Sequence, residues 1–331
     1  MSSKLRTTLS LGCGIPFAAL YGILARVLFG AASRSEKDQL FTMTLSFLVV
    51  APAIIGVITV LLASPERRAK VSFAIWGPLL SSTVVLLAMI ALALEAAICV
   101  VMLSPIYYGL AVIGGVVTWA IARALHSRSN PPMAVISLIA ILPFLSLLVE
   151  QTLPVETRTE RVTTSIEVAA PAEVIWPLVI RVSTIAPAEH VDRAAYLFGI
   201  PRPVEATLTG EGPGALRMGR FDNGLIFEER VTTWQPNRRV AFSITPHAPS
   251  LYAPWDMIGK TYLNLVDAEY ELQPIDTQHT RLFLHTRVNI STRFNDYSAW
   301  WVHSFTGDFL GDLLQIVKHR SEKAAGTLRT S

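Results

Sequence analysis

The residues best suited to chemistry lie in the second half of the chain. In "GLIFEERVTTW" (224–234), Glu229 alternates with Leu225, Phe227 and Val231, so a strand here puts a carboxylate on its apolar face. A buried carboxylate is costly unless paired, and burial raises its pKa. Such a group can orient the polar end of a ligand or act as a general base. It can equally sit at a strand edge near water or pair with a cation such as Arg287. In "GDFLGD" (307–312), Asp308 and Asp312 lie one helical turn apart and could share acid and base roles. Both fall off the apolar stripe of their segment, which places them on a solvated face. The histidines at 190, 247, 279, 285, 303 and 319 lack metal-ligand spacing and read as surface or strand-face residues. "GEGPG" (210–214) has no strand–helix context and reads as a turn. No Ser/His/Asp set forms. The expectation is no catalytic residue set, no metal and no cofactor.

The elements that must carry these residues follow from periodicity. In "VTTSIEVAAPAEVIWPLVI" (162–180), Val162, Thr164, Ile166 and Val168 share one face of a strand. Pro171 suits the first position of a helix, and Pro177 keeps that helix short or kinked. Further strands are expected over 204–212, 214–222, 224–234, 239–245, 261–273 and 281–292, with the turn "QPNR" (235–238) inside an antiparallel meander. Residues 295–325 have helical period, with Val302, Phe305, Phe309, Leu313, Ile316 and Val317 on one stripe. A long amphipathic helix held in the concave side of a curved antiparallel sheet gives an α+β domain.

The order strand, "APAEVIW" helix, "GEGPGALRMG", "VTTWQPNRRVAFSI", "AEYELQPIDTQHTRLFL" and terminal helix resembles the START-like helix-grip superfamily, also called SRPBCC. The nearest branch is that of polyketide cyclase/dehydrase and lipid-transport-like proteins. The resemblance covers about residues 160–325, and it departs from the pattern at Pro177 and in the longer 245–262 connection. It implies a cavity between sheet and helix that holds an apolar ligand. The candidate wall is Phe227, Glu229, Phe242, Tyr270, Leu284, Phe305 and Phe309.

The first half is of another kind. The chain has 331 residues, 51% hydrophobic and 16% charged, against roughly 25% charged in a typical soluble domain. Residues 1–150 hold ten Lys/Arg and five Asp/Glu, net +5; the remainder holds 18 and 20, net −2. Neither half has the clustered basic face of a nucleic-acid binder. Two cysteines exclude a disulfide scaffold. No charge interrupts 7–25, 39–65, 71–94, 96–122 or 129–149. A bilayer core about 30 Å thick takes roughly 20 apolar helical residues to cross. Five transmembrane helices are expected, over about 8–29, 40–63, 71–94, 97–122 and 131–149, followed by a linker (151–160), the ligand-binding domain (161–325) and a tail (326–331).

Arg67, Arg68 and Lys70 in one loop and Arg123 and Arg128 in another mark the cytoplasmic side. Five crossings of a plasma or inner membrane then leave the C-terminal domain outside. "PHAPSLYAPWDMIG" (246–259) reads as a lip, and Tyr252, Trp255 and Trp300 are candidates for the membrane interface, where amphipathic rings are favoured. The sequence thus points to membrane-anchored binding of a lipid or other hydrophobic small molecule, as carrier, chaperone or sensor. Two alternatives stay open: a cyclase or dehydratase acting on a polyketide-like ligand, and an interaction module with a filled core.

Overall fold

A computed structural model describes residues 14–31, 44–95, 97–125, 133–197, 199–247 and 263–330. The chain divides into two compact units, Met1–Val155 and Glu156–Ser331.

The first unit is helical: α1 (Gly14–Ala31), α2 (Ala51–Leu61, entered through a π-helical turn Ser46–Val50), α3 (Val71–Ala91), α4 (Ala97–Ala124), α5 (Met133–Ala140) and α6 (Leu142–Glu150). Two of these, α3 and α4, are long and apolar enough to cross a membrane. Three shorter apolar helical segments cover Gly14–Gly30, Ser46–Leu61 and Ala134–Glu150. Small and polar residues face inward. Thr59 and Ser81 are fully buried and hydrogen-bond each other at 2.9 Å. A Cβ on Gly56 would overlap the Ala111 carbonyl, and one on Gly114 would overlap the Ala53 carbonyl, so α2 and α4 pack backbone to backbone. Large apolar side chains such as Phe17, Leu24, Trp76, Leu80, Ile113 and Leu148 point outward.

Three charged side chains at one end of this unit are matched. Arg26, near the end of α1, pairs with Glu95 beyond the end of α3 at 2.9 Å. Glu150, at the end of α6, is buried and accepts from the Leu45 and Ser46 amides at 2.7 and 2.8 Å, capping the helical entry to α2. These contacts put the ends of α1, α3 and α6 and the starts of α2 and α4 at one end of the bundle. The turn with Arg67, Arg68 and Lys70, between α2 and α3, lies at the other.

The second unit is one seven-stranded antiparallel sheet, ordered β1-β7-β6-β5-β4-β3-β2. The strands are β1 (Arg158–Val168), β2 (Pro203–Thr209), β3 (Leu216–Phe221), β4 (Ile226–Gln235), β5 (Arg239–His247), β6 (Leu263–Pro274) and β7 (Thr280–Ile290). All seven expected strands are present. β1 starts at Arg158, within the span read as linker. Among the described residues two helices of nine residues or more accompany the sheet, α7 (Ala172–Ile180) and α8 (Asn295–Thr330). This is the arrangement of sheet and terminal helix that a helix-grip domain requires. Pro171 is extended and caps α7 instead of occupying its first turn, and the helix stops after nine residues with Pro177 inside it.

Strand alternation fills the core. Leu282, Leu284, Val288 and Ile290 of β7 are buried, with Phe283, His285, Arg287 and Asn289 on the other face. They join Ile175 and Val179 of α7 and Val302, Leu310, Leu314 and Val317 of α8 in one cluster. The stripe of α8 is therefore broader than its expected six residues. Phe309 and Leu313 are only half-buried, for a reason the next section gives.

Candidate functional site

The β3–β4 hairpin places the central pair. Its turn runs through Asp222, Asn223 and Gly224, with Gly224 at φ +85°, a left-handed conformation that glycine adopts without strain. The register set by this turn puts Arg217 directly across from Glu229. Both side chains point to the concave face and both are buried, and they form an ion pair. The Arg217 guanidinium also donates to the carbonyls of Ile180 at 3.2 Å and Val179 at 3.4 Å, the last residues of α7. It lies beside Tyr270 and sits 5.1 Å over the Phe242 ring. Burial alone would lower the Arg217 pKa, but the Glu229 carboxylate beside it, with Tyr270, holds it above its ordinary value. Burial, with Glu229 adding to it, pushes the Tyr270 hydroxyl up against the opposing pull of Arg217. Arg217 thus stays charged and Tyr270 stays protonated. The other oxygen of Glu229, Oε1, lies over Gly219, where a Cβ would come within 3.3 Å.

This pair borders a cavity of about 60 Å³. Phe227, Glu229, Phe242, Tyr270, Leu284 and Phe309 all line it. Phe309 and Leu313 are half-buried because they face this hollow. The seventh expected wall residue, Phe305, does not reach it: its ring stacks on Trp301 at 5.3 Å, further toward the start of α8. Pockets for drug-sized ligands span roughly 300–1,000 Å³. The interior between sheet and helix is therefore largely filled, and the hollow has room for a few waters or a short chain fragment.

Three sequence expectations change here. Arg287 is not the partner of Glu229; it pairs with Asp267, its register neighbour on β6, at 2.7 Å through Nε. Asp312 is not solvated but fully buried. It hydrogen-bonds His190 Nδ1 at 2.7 Å, the Val191 amide at 2.8 Å and the Tyr196 hydroxyl at 2.5 Å. His190, read as a surface residue, is buried with it. The cause is the segment between α7 and β2, which folds over a second stripe of α8 that periodicity alone marks as polar. Trp300 lies 59% exposed on the outer side of α8. Tyr252 and Trp255, with most of the 246–259 lip, lie outside the described residues.

No protein-family model matches this chain, and no curated protein matches it. Among solved structures, it is similar to the protein XoxI from Bacillus cereus (17% identity, TM-score 0.33, covering 51% of this chain and 97% of that one). It is also similar to the Zhui aromatase/cyclase from Streptomyces sp. R1128 (16% identity, TM-score 0.33, 51% and 98%). A START superfamily protein from Mycobacterium smegmatis gives 16% identity and a TM-score of 0.33, over 50% and 98%. Each covers about half of this chain and nearly all of its own. At these identities and scores the reading of the site rests on its own geometry.

Proposed function

We propose that the chain is a multi-pass membrane protein of five crossings whose C-terminal unit binds a lipid or other hydrophobic small molecule, as carrier, chaperone or sensor. The observation that carries this reading is the hollow itself, walled by Phe227, Phe242, Leu284 and Phe309 around one buried ion pair. A close-packed domain interior has few voids larger than a water. The outward leucines and aromatics of the first unit, with glycine and hydroxyl residues inside, support the membrane anchor. Glu150, the last residue of α6, lies at the end of the bundle opposite the Arg67–Lys70 turn, which supports an extracytoplasmic C-terminal unit. Catalysis is not part of the proposal: a base at Glu229 would first have to be freed from Arg217.

A ligand of lipid size asks the cavity to expand, so occupancy is the test. Ala268 lines the hollow, and Ala268→Phe fills it. Native mass spectrometry of the full chain, released from its membrane, is expected to show a retained apolar molecule that Ala268→Phe loses. A bare wild-type chain, or equal retention in both, would favour the filled-core alternative.

A further inference from the structure

The cavity is too small for a lipid-sized molecule, so one of its walls has to move. The walls are of two kinds. Most are strands of the sheet and the helix α8, joined by the main core cluster. The remaining side is Val182 and Ile185, from the stretch between α7 and β2. Among its described residues that stretch holds an isolated bridge at Val182, a 3-10 turn (Pro187–Glu189) and a one-turn helix (Ala194–Leu197).

Its attachments differ in kind from those of the sheet. Val182, Ile185, Ala206 and Ile316 form a small apolar cluster separate from the main core. Val182 exchanges two backbone hydrogen bonds with Ala206 at 2.8 Å, and the Ile185 amide donates to Val204 at 2.7 Å. Glu205 accepts from Thr184, and Arg202 reaches Asp192 and the Tyr196 ring, but most of the remaining hold is polar and comes from α8. Asp312 takes His190, the Val191 amide and Tyr196. Arg320 donates through Nε and Nη2 to the Glu189 carboxylate at 2.7 and 2.9 Å. It also donates to the carbonyls of Ser183 and Thr184 at 3.0 Å. Asp312, Ile316 and Arg320 stand at i, i+4 and i+8, on one stripe about 12 Å long. One helical stripe, polar at both ends and apolar between, is thus given to a single irregular segment. Releasing it breaks hydrogen bonds that water can replace at a net cost of about 0.5–1.5 kcal/mol each, more where a charge takes part. Releasing a strand would open the core.

We propose that Val182–Leu197 is the gate of the cavity, leaving the Asp312–Ile316–Arg320 stripe to admit an apolar molecule and closing behind it. This rests on the reading that the cavity binds such a molecule. Arg320 does not line the hollow, so Arg320→Met loosens the gate without changing the wall. In the full chain in lipid nanodiscs, hydrogen exchange of the 183–197 amides is expected to quicken at least tenfold in Arg320→Met, with β1 and β7 unchanged. A diazirine-bearing long-chain alkane, photolysed and mapped by mass spectrometry, is expected to label β4, β5 and β7 several-fold faster than in the wild type. Asp312→Asn is expected to act in the same direction. Phe309→Ala, which enlarges the hollow but leaves the stripe intact, serves as the comparison. Labelling of those strands at equal rates in wild type and Arg320→Met overturns the gate alone, as does unchanged exchange at 183–197. Absence of label from those strands in every chain, with the apolar helices labelled, removes the binding reading and the gate with it.

Discussion

The two units solve opposite problems with the same residue types. In the first, many leucines, isoleucines and aromatics, such as Leu80, Ile113 and Trp76, face out, while Thr59, Ser81, Ser82 and the contact glycines are inside beside Phe29, Phe47, Ile55 and Tyr107. In the second, large apolar residues form one buried cluster, and Leu197, Ile275 and Trp300 are the large hydrophobics exposed among its described residues. Burial of apolar area drives packing only against water. In the membrane placement proposed for the first unit, close backbone approach and internal hydrogen bonds do that work instead. Charges follow the same split. Arg26, Glu95 and Glu150 are each matched inside the bundle, and the cavity wall carries the buried Arg217–Glu229 pair and the more exposed Arg220–Glu205 pair.

The largest test of the contrast is at that pair. Arg217→Met leaves the Glu229 carboxylate buried and alone, and is expected to destabilise the second unit by about 3–5 kcal/mol. Adding Glu229→Leu is expected to restore most of that loss, since an apolar pair of similar volume removes the unpaired charge. Denaturant titration of the two variants reads both outcomes; equal loss in both would mean the pair is not what holds these strands. Next come two exposed leucines. Leu80 is 52% exposed in the middle of α3 and Leu197 is 82% exposed in the second unit. Leu80→Asp is expected to cost about 3 kcal/mol of membrane insertion. Leu197→Asp is expected to stay within about 0.5 kcal/mol, as surface changes do. A glycosylation-based insertion assay reads the first and thermal melting the second. Equal tolerance at both sites would end the distinction between the units.

Gly56→Val should cost about 1–3 kcal/mol, because its Cβ would meet the Ala111 carbonyl and force α2 from α4. Thermal aggregation of the detergent-solubilised chain would show it. The smallest effect is one of pH. The Arg320 guanidinium bonded to Glu189 holds that carboxyl down at about 2, from an ordinary 4.5. A depressed pKa contributes stability that is present above 4.5 and is lost as pH falls toward 2. The extra exchange protection that wild type shows over Arg320→Met at 183–197 should therefore shrink across that window. A difference undiminished between pH 4.5 and 2 would place the pH-dependent part of the hold elsewhere.

What was legible in the sequence follows from how far each signal reaches. Alternation is local, so the seven strands and the inward face Leu225, Phe227, Glu229 and Val231 could be read directly. The partner of Glu229 was within reach too. The "DNG" turn at 222–224 fixes a register in which Arg217 is its cross-strand neighbour, whereas charge alone does not separate Arg217 from Arg287. Asp312 could not be found that way. Its burial depends on a segment more than a hundred residues upstream folding over a helix face that periodicity marks as polar. The departure of Phe305 from the cavity likewise depends on its stacking with Trp301.

The claim beneath all of this is that one half of the chain meets hydrocarbon and the other meets water. Nitroxide labels at Leu80→Cys and Ile113→Cys, and at Leu197→Cys and Ile275→Cys, measure it in a full chain in liposomes with Cys13 and Cys99 replaced by Ala. The first pair is expected to collide readily with oxygen and hardly at all with a water-soluble nickel chelate, and the second pair to show the reverse. Nickel access at Leu80→Cys and Ile113→Cys equal to that at Leu197→Cys would contradict the account.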